Sequence, residues 1–255
     1  KRMWLQTIKI AQNNMLYLPM PVHLITDDKI KSSKNAFYIT YLTISRNATL
    51  EHKSYITLRQ IFDFYNQTPR STKPKLFYDV LDSLSSMAKD KMISFNLDLN
   101  GISYDTYIPI KINRHKFYSQ QYKMVFLHHL DYIQALPNSY KKDNLIKIYL
   151  YLVGSIFSRG TKFNNPTSAP DYIYKPEACW CSIGMISKTV SLAPKTIIKC
   201  LDVLAAEDDN APFRRYTHDN SRSMPFVYAL NAGGYENELA GGYKKLCQYK
   251  YGSGA

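Results

Sequence analysis

One segment of the sequence occurs twice, and that repetition restricts the fold more than any other feature. Pro74 to Leu84 (PKLFYDVLDSL) aligns with Pro194 to Leu204 (PKTIIKCLDVL), a displacement of 194 − 74 = 120 positions. The two match at Pro, Lys, Leu81 with Leu201, Asp82 with Asp202, and the closing Leu. Apolar residues fall at i, i+3, i+4 and i+7 in both, as Phe77, Val80, Leu81, Leu84 and as Ile197, Cys200, Leu201, Leu204. That spacing predicts an amphipathic helix entered through a Pro in its first turn. Upstream, Met15 to Leu18 faces Met124 to Leu127 and Asn35 faces Asn144, now displaced by 124 − 15 = 109. The second copy therefore holds a net 120 − 109 = 11 extra residues, for which Ser158 to Pro176, rich in Gly, Asn and Pro, supplies a loop.

Each copy reads in the same order. A short strand-like run (Leu16 to Leu18, Val125 to Leu127) precedes a long apolar helix (Ser33 to Arg46, Asp143 to Phe157). A second helix follows, over Thr57 to Asn66 with Leu58, Ile61, Phe62 and Tyr65 on one face, and over Ser182 to Val190 with Ser182 as its N-cap. The Pro-Lys helix comes next. Two alternating strands close each copy: Ile93 to Leu99 with Ile102 to Ile112, joined at Asn100-Gly101, and Phe213 to Thr217 with Phe226 to Leu230 around a polar tip. The pattern predicts an α+β chain with domains at 14–115 and 118–231 and a C-terminal tail at 232–255.

Composition narrows the partner. Of 255 residues, 33 are Lys or Arg and 20 are Asp or Glu, a formal charge of +13 that suits nucleic acid or an anionic membrane surface. No window supplies the roughly 18–20 apolar residues of a spanning helix, so no membrane partner is expected. The longest apolar run, Leu145 to Phe157, is broken by Lys147, Gly154 and Ser155, and Lys1 to Asn14 lacks the pattern of a signal peptide. Four Cys fit a reducing compartment, and a cytoplasmic location is expected.

Helix, helix, turn, helix and two-stranded hairpin, twice over, resembles the tandem winged helix-turn-helix proteins, in particular the replication initiators of plasmids and related mobile elements. The resemblance covers about Asn14 to Asn231 and rests on element order and the repeat. It implies that each Pro-Lys helix enters the major groove of double-stranded DNA and that each hairpin is a wing on backbone or minor groove. The residues then expected to contact DNA are Arg70, Ser71, Thr72, Lys73 and Lys75 in the first copy and Lys188, Ser191, Lys195, Thr196 and Lys199 in the second, with Arg70 the candidate for a bidentate guanine contact. Arg214, Arg215 and Arg222 crowd the second wing, whereas the first carries Asp98 and Asp105. Phosphate is drawn to the second wing and repelled by the first. The first wing is expected to point elsewhere, toward another protein chain, with a homodimer through the first domain as the candidate assembly.

Catalysis is not expected, and neither is a cofactor or a metal site. Cys179-Trp180-Cys181 has one intervening residue and no partner at zinc-finger spacing. Cys200 falls on a buried stripe, and His128-His129 on a strand would point to opposite faces. Neither a phosphate-binding Gly-rich loop nor a Ser nucleophile elbow occurs. The expected function is a sequence-specific DNA binder, a plasmid or phage replication initiator at origin repeats. A transcriptional regulator of a mobile element and a protein-interaction module on the same fold stay open as alternatives.

Overall fold

Short antiparallel sheets alternate with helices throughout residues 17–69, 72–118, 121–156, 178–216, 225–231 and 235–251, which the computed structural model describes. The result is a mixed α+β chain with two compact units, Lys1–Lys147 and Ile148–Ala255. Arg70, Ser71 and Arg222, the loop Ser158 to Pro176 and the tip of the second hairpin lie outside the described residues.

The first unit runs β1 (Tyr17–Pro21), α1 (Asp27–Ser32), α2 (Phe37–Arg46), β2 (Lys53–Ile56), α3 (Leu58–Phe64), α4 (Lys75–Lys89), β3 (Ile93–Ser94), β4 (Ile108–Ile112), α5 (Arg114–Phe117), β5 (Tyr122–Phe126) and α6 (Leu127–Ala135). Helix α7 (Lys142–Ser155) begins in this unit and ends in the second. The second continues with β6 (Ala178–Cys181), α8 (Ile183–Val190), α9 (Pro194–Leu204), β7 (Phe213–Tyr216), β8 (Phe226–Leu230) and α10 (Tyr235–Tyr251).

Both units contain a three-stranded sheet of one order, β2-β4-β3 and β6-β8-β7. The expected hairpins thus gain a third strand each, from four-residue segments too short for alternation to stand out in the sequence. Each of these strands leads directly into a capped helix. Thr57 accepts from the Gln60 amide (3.3 Å) while the Thr57 amide donates to Gln60 Oε1 (3.0 Å), a reciprocal capping box. Ser182 accepts from the Met185 amide at 3.2 Å, the N-cap role expected of it. The runs read as equivalent first strands, β1 and β5, instead pair with each other inside the first unit, Tyr17 opposite Phe126 and Pro21 opposite Tyr122.

Burial follows the two periodicities. In the first sheet Ser54, Ile56, Ile108, Ile110 and Ile112 turn inward, while Lys53, Tyr55, Pro109 and Lys111 stay exposed. In the second sheet both faces are covered, since Val227, Tyr228 and Ala229 are consecutive and all buried. The covering element is α10. Leu246 joins Ala178, Val227 and Ala229 in one cluster, with Trp180, Leu239 and Tyr243 packed against it. Gly242 is the point of closest approach: a Cβ there would lie 2.8 Å from Val227 Cγ1 and 2.9 Å from Ala178 Cβ. Within the segment read as a C-terminal tail, Tyr235–Tyr251 is therefore a docked helix, and it is the docking that its Gly and Lys content concealed in the sequence.

Charged side chains hold the start of α7 within the first unit. Asp143 Oδ1 accepts from the Ala36 amide (2.8 Å) and the Tyr65 hydroxyl (2.7 Å), and Lys147 Nζ donates to the Ser33 carbonyl (2.6 Å). Ala36 is the N-cap of α2 with φ 63°, so a carboxylate from a distant helix satisfies one of its orphan amides. Lys142 Nζ donates to the carbonyls of Ile133 (2.8 Å), Gln134 (2.9 Å) and Leu136, closing the C-terminus of α6. No helix among the described residues is long and apolar enough to cross a membrane.

Candidate nucleic-acid interface

Helices α8 and α9 are joined by a three-residue turn whose first residue, Ser191, is left-handed at φ 57°. Ser187 Oγ donates to the Leu192 carbonyl at 2.7 Å and fixes the turn. Helix α9 then buries Ile197, Cys200, Leu201 and Leu204, and burial pushes the Cys200 thiol up to about 11, which leaves it an uncharged core side chain. The opposite face presents Lys195, Ile198, Lys199 and Asp202. Lys188 and Ser191 are exposed as well, and Thr196 is half-buried.

The second hairpin shapes the charge of that face. Arg215, on β7, reaches Asp202 (Nη1 to Oδ1, 3.4 Å) and lies 5.3 Å over the Phe226 ring. Asp202 is thereby engaged by Arg215, and Lys195 and Lys199 are the cations that α9 carries on its outward face. Arg214 is turned into its own unit, where it pairs with Asp209 at 2.8 Å and donates to the Ala206 carbonyl at 3.4 Å. The two adjacent arginines of β7 therefore have different surroundings, as alternation along a strand requires.

The corresponding region of the first unit is built differently. Lys75, Tyr78 and Asp82 occupy the outer face of α4, with Asp79 half-buried beside them. Asp82 lies 3.7 Å from Lys34. Thr72 is exposed, but Lys73 is engaged by the protein: its Nζ donates to the Ile102 carbonyl (3.2 Å) and sits 4.4 Å from the Phe77 ring centroid.

The first hairpin also departs from its expected form. Strand pairing covers only Ile93 with Ile112 and Ser94 with Lys111, and Leu99–Gly101 is a 3-10 turn entered through Asp98, whose side chain accepts from the Asn100 amide (2.9 Å). Residues beyond Ser94 fold back on the helices. Tyr104 packs edge-on to Phe62 (5.0 Å) and Phe77 (5.3 Å), and its carbonyl accepts from the Arg59 amide at 2.9 Å. Asp105 takes the Arg59 guanidinium bidentately, through Nε to Oδ1 and through Nη2 to Oδ2 at 2.7 Å. Local alternation favours a long hairpin, whereas aromatic burial and a forked ion pair favour the folded-back loop, and the tertiary contacts prevail.

His128 and His129 open helix α6, with ring centroids 4.2 Å apart, so the strand geometry expected for them does not apply. Among the described residues no group of three or more His, Cys, Asp or Glu is placed to hold a metal ion. Sequence reading passed over two exposed apolar side chains, Tyr78 on α4 and Ile198 on α9, which are 56% and 48% accessible. The signal was present: both lie off the buried stripe of their helices, at positions 120 apart (198 − 78) in the repeat. No protein-family model matches the chain, and no curated protein matches it significantly.

Proposed function

We propose that the chain is a non-catalytic, sequence-specific binder of double-stranded DNA, made of two winged helix-turn-helix units. Helix α9 is the element that enters the major groove, and β7-β8 is its wing. One observation carries this reading: α9 buries one face completely and turns Lys195 and Lys199 outward, while Arg215 engages Asp202, the carboxylate of α9 on that face. A helix of this kind, held at its start by a tight turn from a capped partner, has the charge and the exposure that docking in a groove requires. The order β6-α8-α9-β7-β8 in the second unit, repeated as β2-α3-α4-β3-β4 in the first, supports the duplication.

The two units have different roles in this reading. On the outer face of α4 Asp82 lies beside Lys34 and Asp79 stands where α9 has Lys199, and the loop after β3 is folded back by Arg59 and Asp105, so the first unit suits a protein partner, including a second copy of the chain. A protein that grips DNA with one unit and protein with the other fits a cytoplasmic replication initiator of a plasmid or phage. Binding of the full chain to a random-sequence duplex, followed by fluorescence anisotropy, tests the reading. Replacing Lys195 and Lys199 together by Ala is expected to abolish most of the affinity. Equal affinity of this variant and the parent would refute the assignment of α9.

A further inference from the structure

The exposed apolar residue at the centre of α9 bears on what the helix reads, an inference that rests on the DNA-binding reading above. Ile198 is 48% accessible although it is one of the bulkiest aliphatic side chains, and Lys195 and Lys199 flank it on the same outward face. A single exposed apolar residue is ordinary on a protein surface. This one has a counterpart, because Tyr78 stands at the same register of α4 and is 56% accessible. The repeat thus places a large, solvent-facing apolar group three residues after the entry lysine in both helices: Lys75 before Tyr78, and Lys195 before Ile198. The next position differs, with Lys199 in one helix and Asp79 in the other. Only α9 surrounds its apolar group with positive charge.

Within a major groove the base edges offer hydrogen-bond donors and acceptors, and one apolar group, the C5-methyl of thymine. A β-branched side chain such as Ile198 has no donor or acceptor and few rotamers, so methyl contact is the one form of base reading open to it. Lysines on either side reach phosphates and hold the helix in register. Asp202, tied to Arg215, is kept from repelling the backbone. We propose that Ile198 is a specificity-determining residue that recognises the C5-methyl of thymine in the major groove, and that Lys195 and Lys199 position it there. Tyr78, beside Asp79 and Asp82, has no such role.

The experiment uses the full chain and duplexes enriched from a random-sequence pool. Each thymine of the enriched site is replaced in turn by deoxyuridine, which deletes the methyl and keeps the base pair. At one or two positions the parent protein is expected to lose about three- to tenfold in affinity, the scale of one buried methyl in a close contact. Ile198→Ala is expected to bind the thymine and deoxyuridine sites equally. Lys195→Ala is expected to weaken both alike and keep the ratio. Ile198 is exposed, so its replacement leaves the core of α9 intact, and an unchanged unfolding temperature checks this. If the parent binds thymine and deoxyuridine equally at every position, or if Ile198→Ala still distinguishes them, the inference is overturned. If no sequence is enriched at all, the DNA-binding reading fails first and the inference falls with it.

Discussion

Replacing Asp143 by Ala is expected to destabilise the first unit by about 2–4 kcal/mol, because two buried donors lose their shared acceptor at about 1–3 kcal/mol each, with partial compensation. Those donors are the Ala36 amide and the Tyr65 hydroxyl, on α2 and at the end of α3, so one side chain joins three helices. Asp143→Asn keeps an acceptor oxygen in place and removes a buried charge, and its cost is expected to stay within about 1 kcal/mol. The two variants also differ in their response to pH. Burial raises the Asp143 carboxyl above its ordinary range, against the hydrogen bonds from Tyr65 and Ala36 and the charge of Lys147, which lower it. A carboxyl raised on folding binds its proton more tightly in the folded state. Its contribution is complete below the ordinary value of 3.8 and is lost as pH rises through the raised value. The stability of Asp143→Asn relative to the parent should therefore improve with increasing pH across that window. Hydrogen exchange at the Ala36 amide and along α2 measures the local opening free energy at each pH. An Asn variant as unstable as the Ala variant at neutral pH, or a difference between parent and Asn variant that does not vary with pH, would refute this account.

Two further substitutions probe the second unit. Gly242→Ala gains up to about 1 kcal/mol of helix propensity but forces α10 away from Val227 and Ala178, at about 1–3 kcal/mol; the expected net loss is followed through the fluorescence of Trp180, which packs on the same cluster, and net stabilisation would contradict the close docking of α10. Arg215→Ala should weaken binding to cognate and random duplexes alike, both by removing a cation and by releasing Asp202, and Arg215→Ala combined with Asp202→Asn should recover part of that loss in anisotropy titrations; a loss confined to cognate DNA would show that Arg215 reads a base.

Helices with one wholly apolar stripe were legible in the sequence, as were the starts of α3 and α8, because Thr57 and Ser182 are capping residues whose function is local. Elements settled by distant contacts were not. Alternation from Ile93 to Leu99 gave no warning that Tyr104 would pack against Phe62 and Phe77, or that Asp105 would meet Arg59. The start of α6 was obscured because Met124 to Leu127 is one unbroken apolar run that carries β5 straight into the helix, while the helical spacing becomes plain only at Leu130 and Ile133. In α10 the helix itself was legible, since Leu239, Tyr243 and Leu246 have helical spacing, but nothing local to Gly241 and Gly242 showed that it docks. Gly242 earns its place only through the sheet beneath it. For the candidate interface, the exposure of Lys195 and Lys199 was legible from the helical period of α9, while the surroundings of Asp202 and Lys73 depend on Arg215 and Ile102, on other elements of the fold.

Duplex affinity of the full chain across a series of salt concentrations addresses whether α9 is a DNA-binding helix. The logarithm of the affinity is expected to fall linearly and steeply with the logarithm of salt concentration, because each phosphate contact releases counterions. Lys195→Ala and Lys199→Ala should each lower the slope by about one unit. Lys75→Ala, on α4 where Asp79 takes the place of Lys199, should leave it unchanged. An affinity that does not respond to salt, or a slope that Lys75→Ala reduces as much as Lys195→Ala does, would contradict the assignment of DNA binding to the second unit.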